Sequence, residues 1–241
     1  MYGSNEVEAF ISDIKSDATD HKKQLPPGTS PFITISSQSG AGGNLLARQL
    51  LDNFDRAGTD HPTLKGWRIF DRGMCQRLLE DEHLANSMNE LLAEEYHSQI
   101  TEFVLGIFGN HGMQNVAYAR LSRFMRTIAT VGKVIITGYG GCLATHQLAG
   151  GSHLRLVAPL PLRAARMAPV LQLNETQALR ELQKRDSDTR QLLKTHYRVD
   201  STDPEHYDLV CNTERLTIES IAAIQQSIIL AQTRPETLAM S

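Results

Sequence analysis

Apolar residues along this chain follow two rhythms. Short continuous runs alternate with longer stretches in which they recur every three or four positions. Ile33-Thr34-Ile35-Ser36 is a β-branched run that leads into Ser39-Gly40-Ala41-Gly42-Gly43, and Leu45, Leu46, Leu50, Leu51 and Phe54 then repeat at helical spacing. The pattern predicts strand, glycine-rich turn and helix. Trp67-Arg68-Ile69-Phe70, Val134-Ile135-Ile136-Thr137, Leu154 to Ala158 and Tyr207 to Cys211 read as four further strands. Residues 74–131 are mostly helical in pattern, with an acidic stretch at Glu80, Asp81, Glu82, Glu90, Glu94 and Glu95 and a helix around Val116–Val131. Helical spacing also marks Glu175–Leu193 and Ile218–Leu230. Short apolar strands alternating with helices predict an α/β chain whose parallel sheet is covered on both faces. No internal repeat and no low-complexity segment interrupts the pattern.

The first thirty residues stand apart. Val7, Phe10, Ile11 and Ile14 make one apolar stripe of a short helix over residues 5–16, and Pro26 to Pro31 reads as a linker. A frayed terminus plus linker is the expected reading, with the main domain over 31–241. The 241 residues are 41% hydrophobic and 21% charged, an ordinary globular composition. No apolar run reaches membrane-spanning length and no basic, apolar leader opens the chain, so a cytoplasmic protein is expected. Three cysteines, far apart in sequence, suit a reducing compartment better than a disulfide framework or zinc site. A net charge of −3 argues against a general nucleic-acid coat. That total hides an asymmetry: residues 155–198 carry nine Lys and Arg against four Asp and Glu. A basic segment in an acidic chain points to a local anion such as phosphate, or to a solvated helix with mixed charges.

The glycine turn carries the strongest chemistry. A strand feeding a glycine-rich turn and a helix N-terminus aims several backbone N–H groups at one point, which suits a phosphate chain. Laid on the pattern Gly-x-x-x-x-Gly-Lys-Ser/Thr, Ser37 takes the first Gly and Gly42 the second. The Lys position then falls on Gly43 and the Ser/Thr position on Asn44. The cradle is present while the lysine and the hydroxyl are absent; a plain strand–turn–helix corner is the alternative. Asp71, Arg72 and Arg77 follow the second strand, where open α/β sheets bind ligands. They suit a phosphate or ribose, or else Asp71 caps a helix and the arginines face solvent. Lys184, Arg185 and Arg190, with Asp186 and Asp188, suit a mobile arm that brings cations to a transferring phosphate, or a surface helix with intrahelical ion pairs. The nine histidines form no zinc-protease or paired-ligand pattern, and no metal-ligating side chains are assigned.

In order and spacing, ITISSQSGAGGNLLARQL, FDRGMCQRLL, VIITGYGGCLA and RVDSTDPEHYDLVCNTERLTIES resemble the cytidylate kinase-like family of nucleoside monophosphate kinases, over about residues 32–230. The resemblance implies a P-loop kinase fold: three-layer α/β/α with a five-stranded parallel sheet, a helical acceptor-binding insertion (about 71–131) and a lid (about 160–198). It implies transfer of the ATP γ-phosphoryl group, with Mg²⁺, to CMP or a related small nucleotide. By the same resemblance Ser39, Gly40, Ala41, Gly42, Gly43 and Asn44 would hold the donor phosphates. Asp71, Arg72 and Arg77 would face the acceptor, with Arg77 on its phosphate, and Arg185, Asp186 and Arg190 would serve the lid. Four basic positions of the family pattern depart: Ser37, Asn44 and Tyr139 replace Arg, and Arg190 stands one place late, after Thr189. Arg48 and Arg72 are the substitutes at hand. The departures leave three readings open: a kinase of this kind, a kinase for another small acceptor, and a non-catalytic nucleotide- or phosphate-binding protein on the same scaffold.

Overall fold

The computed structural model describes residues 3–21, 30–81, 83–84, 86–88 and 113–232. The helical pattern and acidic residues expected across 89–112 lie outside the described residues. Five strands form one sheet: β1 (Phe32–Ser37), β2 (Arg68–Phe70), β3 (Val134–Thr137), β4 (Gly151–Val157) and β5 (Leu209–Asn212). Their order is β2-β3-β1-β4-β5 and every pairing is parallel. Ile33 pairs with Ile135 on one side and with Ser152 on the other.

The continuous apolar runs are explained by burial on both faces. In β1 and β3, Phe32, Val134 and Ile136 enter one core, while Ile33, Ile35 and Ile135 enter the opposite one. The second core is closed by α2 (Gly43–Ala57) and α8 (Ile218–Gln232), through Leu46, Leu50, Phe54, Ile221 and Ile229. The first is closed by α3 (Arg72–Glu80), α4 (Met113–Val131), α5 (Gly141–Thr145) and the N-terminal helix α1 (Ser4–His21).

Helix α1 corrects the expectation of a frayed terminus. Val7, Phe10, Ile11 and Ile14 are all buried, and Phe10 stacks on Phe70 with ring centroids 5.6 Å apart. Asp17 pairs with Arg68 of β2 at 2.6 Å. A four-residue stripe at helical spacing is enough to dock a helix when the sheet beneath offers an uncovered apolar face.

Strand β4 begins three residues before its apolar run. Ser152 and His153 are buried within it, and their polarity hid them. His153 Nδ1 lies 2.7 Å from the Thr34 hydroxyl, and Ser152 Oγ lies 3.3 Å from Gln225 Oε1, so both polar groups are satisfied inside the core. Burial lowers the basicity of His153 from its ordinary value. The three cysteines are free and buried.

Past β4 the chain forms a helical hairpin, α6 (Leu160–Leu171) and α7 (Glu175–Tyr197). Asn174 starts α7 with a capping box: its side chain accepts from the Gln177 amide, and Gln177 accepts from the Asn174 amide. The small residues Ala164, Ala168 and Ala178, with Leu182, let the two helices approach closely. Among the described residues no helix is long and apolar enough to cross a membrane.

Candidate functional site

A cavity of about 760 Å³ opens at the C-terminal ends of β1 and β3 and beside the turn after β5. In open α/β sheets this is where the strand order reverses and ligands enter. Ser39, Gly40, Ala41, Gly42, Gly43 and Asn44 all line it. Gly40 (φ +80°) and Gly42 (φ +99°) turn the chain through left-handed backbone. A side chain on Gly40 would also meet Met167 Cγ at 2.8 Å. The loop thus delivers the first amides of α2, Gly43 to Leu45, to the cavity without intrahelical acceptors.

The loss of the lysine has a steric counterpart. A Cβ built on Gly43 would lie 2.6 Å from Ser37 Oγ and 3.1 Å from Ser37 Cβ. Rotating the hydroxyl removes the first contact but not the second. A side chain at 37 and one at 43 therefore compete for the same space, so Ser37 and Gly43 form a matched pair.

Positive charge reaches the cavity from other elements. Among the described residues Arg72, Arg166, Arg185 and Arg215 line it, against one acid, Glu214. Arg166 donates to the carbonyl of Thr213 at 2.8 Å and to its hydroxyl at 3.2 Å. Arg185 donates to Glu181, four residues earlier, at 2.7 Å. Arg72 lies over the Tyr139 ring, 5.7 Å from its centroid. Arg48 is exposed and is not among the lining residues.

The predicted lid residues separate. Asp186 sits behind the loop: its Oδ1 accepts from the Ser39 amide at 2.8 Å, and its Oδ2 accepts from Arg163 at 2.8 Å. The same guanidinium donates to the carbonyls of Ser39, at 2.8 Å, and Ala158, at 2.9 Å. Both ends of the Ser39 residue are thus gripped by the hairpin, which is anchored at this point rather than free. Arg190 faces away and pairs with Asp200, whose carboxyl is held well below its usual range by that guanidinium. Thr189 takes the lining position instead.

On the opposite side Asp71 caps α3, accepting from the amides of Gly73 and Met74. Arg77 donates to Ser4 of α1 at 2.9 Å and is not among the lining residues. Arg163, Arg166 and Arg215 were not singled out from sequence. The first two stand three residues apart on the helix that follows β4, a spacing that puts both on the side facing the loop and the β5–α8 turn.

A parallel five-stranded sheet with a glycine loop at the end of β1, an arginine-rich cavity and a helical hairpin over it defines a P-loop kinase fold. The cytidylate kinase-like family model matches residues 32–215, and the chain belongs to that family. A cytidylate kinase from Sulfolobus acidocaldarius is 33% identical over 104 residues, 43% of this chain and 57% of that protein. The chain therefore spans little more than half the length of that relative. A crystal structure of an uncharacterized protein from Eubacterium ventriosum shares the fold, with a TM-score of 0.64 at 13% identity over 84% of this chain and 99% of that one. Shikimate kinase from Acinetobacter baumannii aligns over 86% of this chain and 96% of its own at 20% identity, but its TM-score of 0.39 gives that likeness no weight.

Proposed function

We propose that the protein moves the γ-phosphoryl group of ATP to a small acceptor of the nucleoside monophosphate type, CMP or a close relative. The observation that carries this reading is the glycine loop, with its first helical amides facing a cavity lined, among the described residues, by four arginines and a single acid. An acceptor phosphate oxygen attacks the γ-phosphorus, the bond to the β,γ-bridging oxygen breaks, and ADP leaves with the electron pair. The attacking oxygen is already anionic, so no general base is needed. Positioning and charge neutralisation do the work.

The chain supplies both. The amides of Gly43 to Leu45 and Arg215 and Arg166 at the β5–α8 side suit the donor phosphates. Arg185 projects from the hairpin into the same cavity and suits the transferring group. Cations so placed are worth orders of magnitude in rate. Mg²⁺ that arrives on a nucleotide needs few protein ligands. Asn44 Oδ1 and the Thr137 hydroxyl, 3.5 Å apart beside the loop, are neutral oxygen donors of the type it accepts. They are the residues that would hold it, and the ion would supply further positive charge to the phosphate groups.

A coupled assay for ADP formation with ATP, Mg²⁺ and CMP, dCMP, UMP and AMP, widened to other small phosphate and hydroxyl acceptors, tests the proposal. Turnover of roughly 1–100 per second with one acceptor is expected; none above background sinks it. The closed lysine position at Gly43 favours a second reading, a nucleotide-binding protein without catalysis. Thermal stabilisation by ATP or ADP together with no turnover would select that reading.

A further inference from the structure

Of the two arginines near the end of β2 that the family resemblance would turn to the acceptor, Arg72 lines the cavity and Arg77 does not. Arg77 is occupied by α1, a helix outside the matched family segment: Ser4 Oγ accepts from Arg77 at 2.9 Å and donates to Asp81 at 2.9 Å. Arg72, the first residue of α3, is on the cavity instead. Its guanidinium rests on Tyr139, which also lines the cavity. Among the described residues no carboxylate pairs with Arg72. An aromatic ring attracts a cation without using any of its N–H donors. Among the described residues the guanidinium fork is therefore left for an oxyanion.

The Tyr139 platform is built at a cost. Its φ of +47° lies between Gly138 at +81° and Gly140 at +73°, three successive left-handed residues. Such a conformation is strained in a bulky residue and persists only where its surroundings over-determine it. They do so here. The Tyr139 carbonyl accepts from the Tyr118 hydroxyl. Gly140 packs so tightly under α7 that a Cβ would lie 2.6 Å from Leu193 Cδ2 and 2.9 Å from Tyr197 Cε2.

We propose that Arg72, positioned by the Tyr139 ring, is the acceptor-side clamp, and that its ligand is the phosphate of a phosphomonoester acceptor. The inference rests on the phosphotransferase reading and names the half of the cavity each substrate takes. Arg215 and Arg166 stand on the β5 side with the donor, whereas Arg72 stands on the β2–β3 side with the acceptor. Tyr139 acts through Arg72 and is a positioning residue.

Calorimetric titration of the full chain with ADP, and separately with CMP, UMP and AMP, tests this in Arg72→Ala, Arg72→Lys, Tyr139→Asn, Tyr139→Phe and Arg77→Ala. Asparagine tolerates left-handed backbone, so Tyr139→Asn removes the ring while keeping the turn. The expected result is at least about tenfold weaker monophosphate binding in Arg72→Ala, with ADP affinity unchanged, as befits a lost charge-assisted bidentate contact. Tyr139→Asn should follow it in part, Tyr139→Phe should bind as the parent does, and Arg72→Lys should fall between. In turnover, the acceptor KM should rise more than kcat falls. Unchanged monophosphate affinity in Arg72→Ala overturns the proposal, as does a selective loss in Arg77→Ala. A parent that binds ADP but no monophosphate also overturns it, whereas a parent that binds neither overturns the phosphotransferase reading itself.

Discussion

Replacing Asp186 tests how the hairpin is fastened to the phosphate loop. The Arg163 side chain is only 5% exposed, and Asp186 is its one carboxylate partner among the described residues. Asp186→Ala leaves that guanidinium buried with two carbonyls and no counter-charge, and it strips the Ser39 amide of its acceptor. Removing one partner of a buried pair costs about 3–5 kcal/mol. Asp186 is 28% exposed and the two carbonyls remain, so the low end, about 3 kcal/mol, applies. For a chain of this size each kcal/mol moves Tm by about 2–4 °C, giving a fall of about 6–12 °C. Asp186→Asn keeps an oxygen for the Ser39 amide and loses the charge, for a cost of about 1–2 kcal/mol. Thermal and urea unfolding followed by circular dichroism measure both, and hydrogen exchange at Ser39 reports the loop directly. A Tm fall below about 2 °C in Asp186→Ala, with Ser39 exchange unchanged, would refute the reasoning.

Two further outcomes follow from packing and burial. Gly43→Lys should destabilise by about 1–3 kcal/mol through overpacking against Ser37, and adding Ser37→Gly should recover most of it; equal stability of Gly43→Lys and the parent in a urea titration would refute the matched pair. His153 loses basicity through burial, so the folded state binds fewer protons than the unfolded state just below the ordinary histidine pKa of 6.5. Its stabilising contribution is complete above that value and is lost as pH falls through the depressed folded pKa. His153→Gln should flatten that part of the stability curve, and an unchanged slope between the two proteins would count against the assignment.

The sheet was legible because its strands are apolar on both faces. Ile33 to Ile35 and Val134 to Ile136 leave no other reading once glycines follow them. The phosphate loop was legible for the same reason, since strand, glycine turn and helix stand next to one another in the chain. The start of β4 was not, because Ser152 and His153 depend on Gln225 and Thr34, distant partners that only the fold brings near. The hairpin charges were visible as a surplus but not as roles. Whether Asp186 meets Arg163 and Ser39, or Arg190 meets Asp200, depends on how α7 lies on α6. Likewise Arg72 and Arg77 open and close a little more than one helical turn, and the phase of α3 decides which of them meets the cavity. The docking of α1 turned on whether anything else covered the apolar surface that Phe70 of β2 and Phe124 of α4 present together, which no local pattern records.

Helix α1 has a consequence for where this protein begins as a physical object. The segment shared with its family starts at Phe32, yet Val7, Phe10, Ile11 and Ile14 lie in the same core as Phe70, Leu78, Leu121 and Phe124. A fragment trimmed to the shared segment would bare that patch to water and invite self-association. Ancestry and solubility therefore draw two different borders through this chain, and the helix between them belongs to the second.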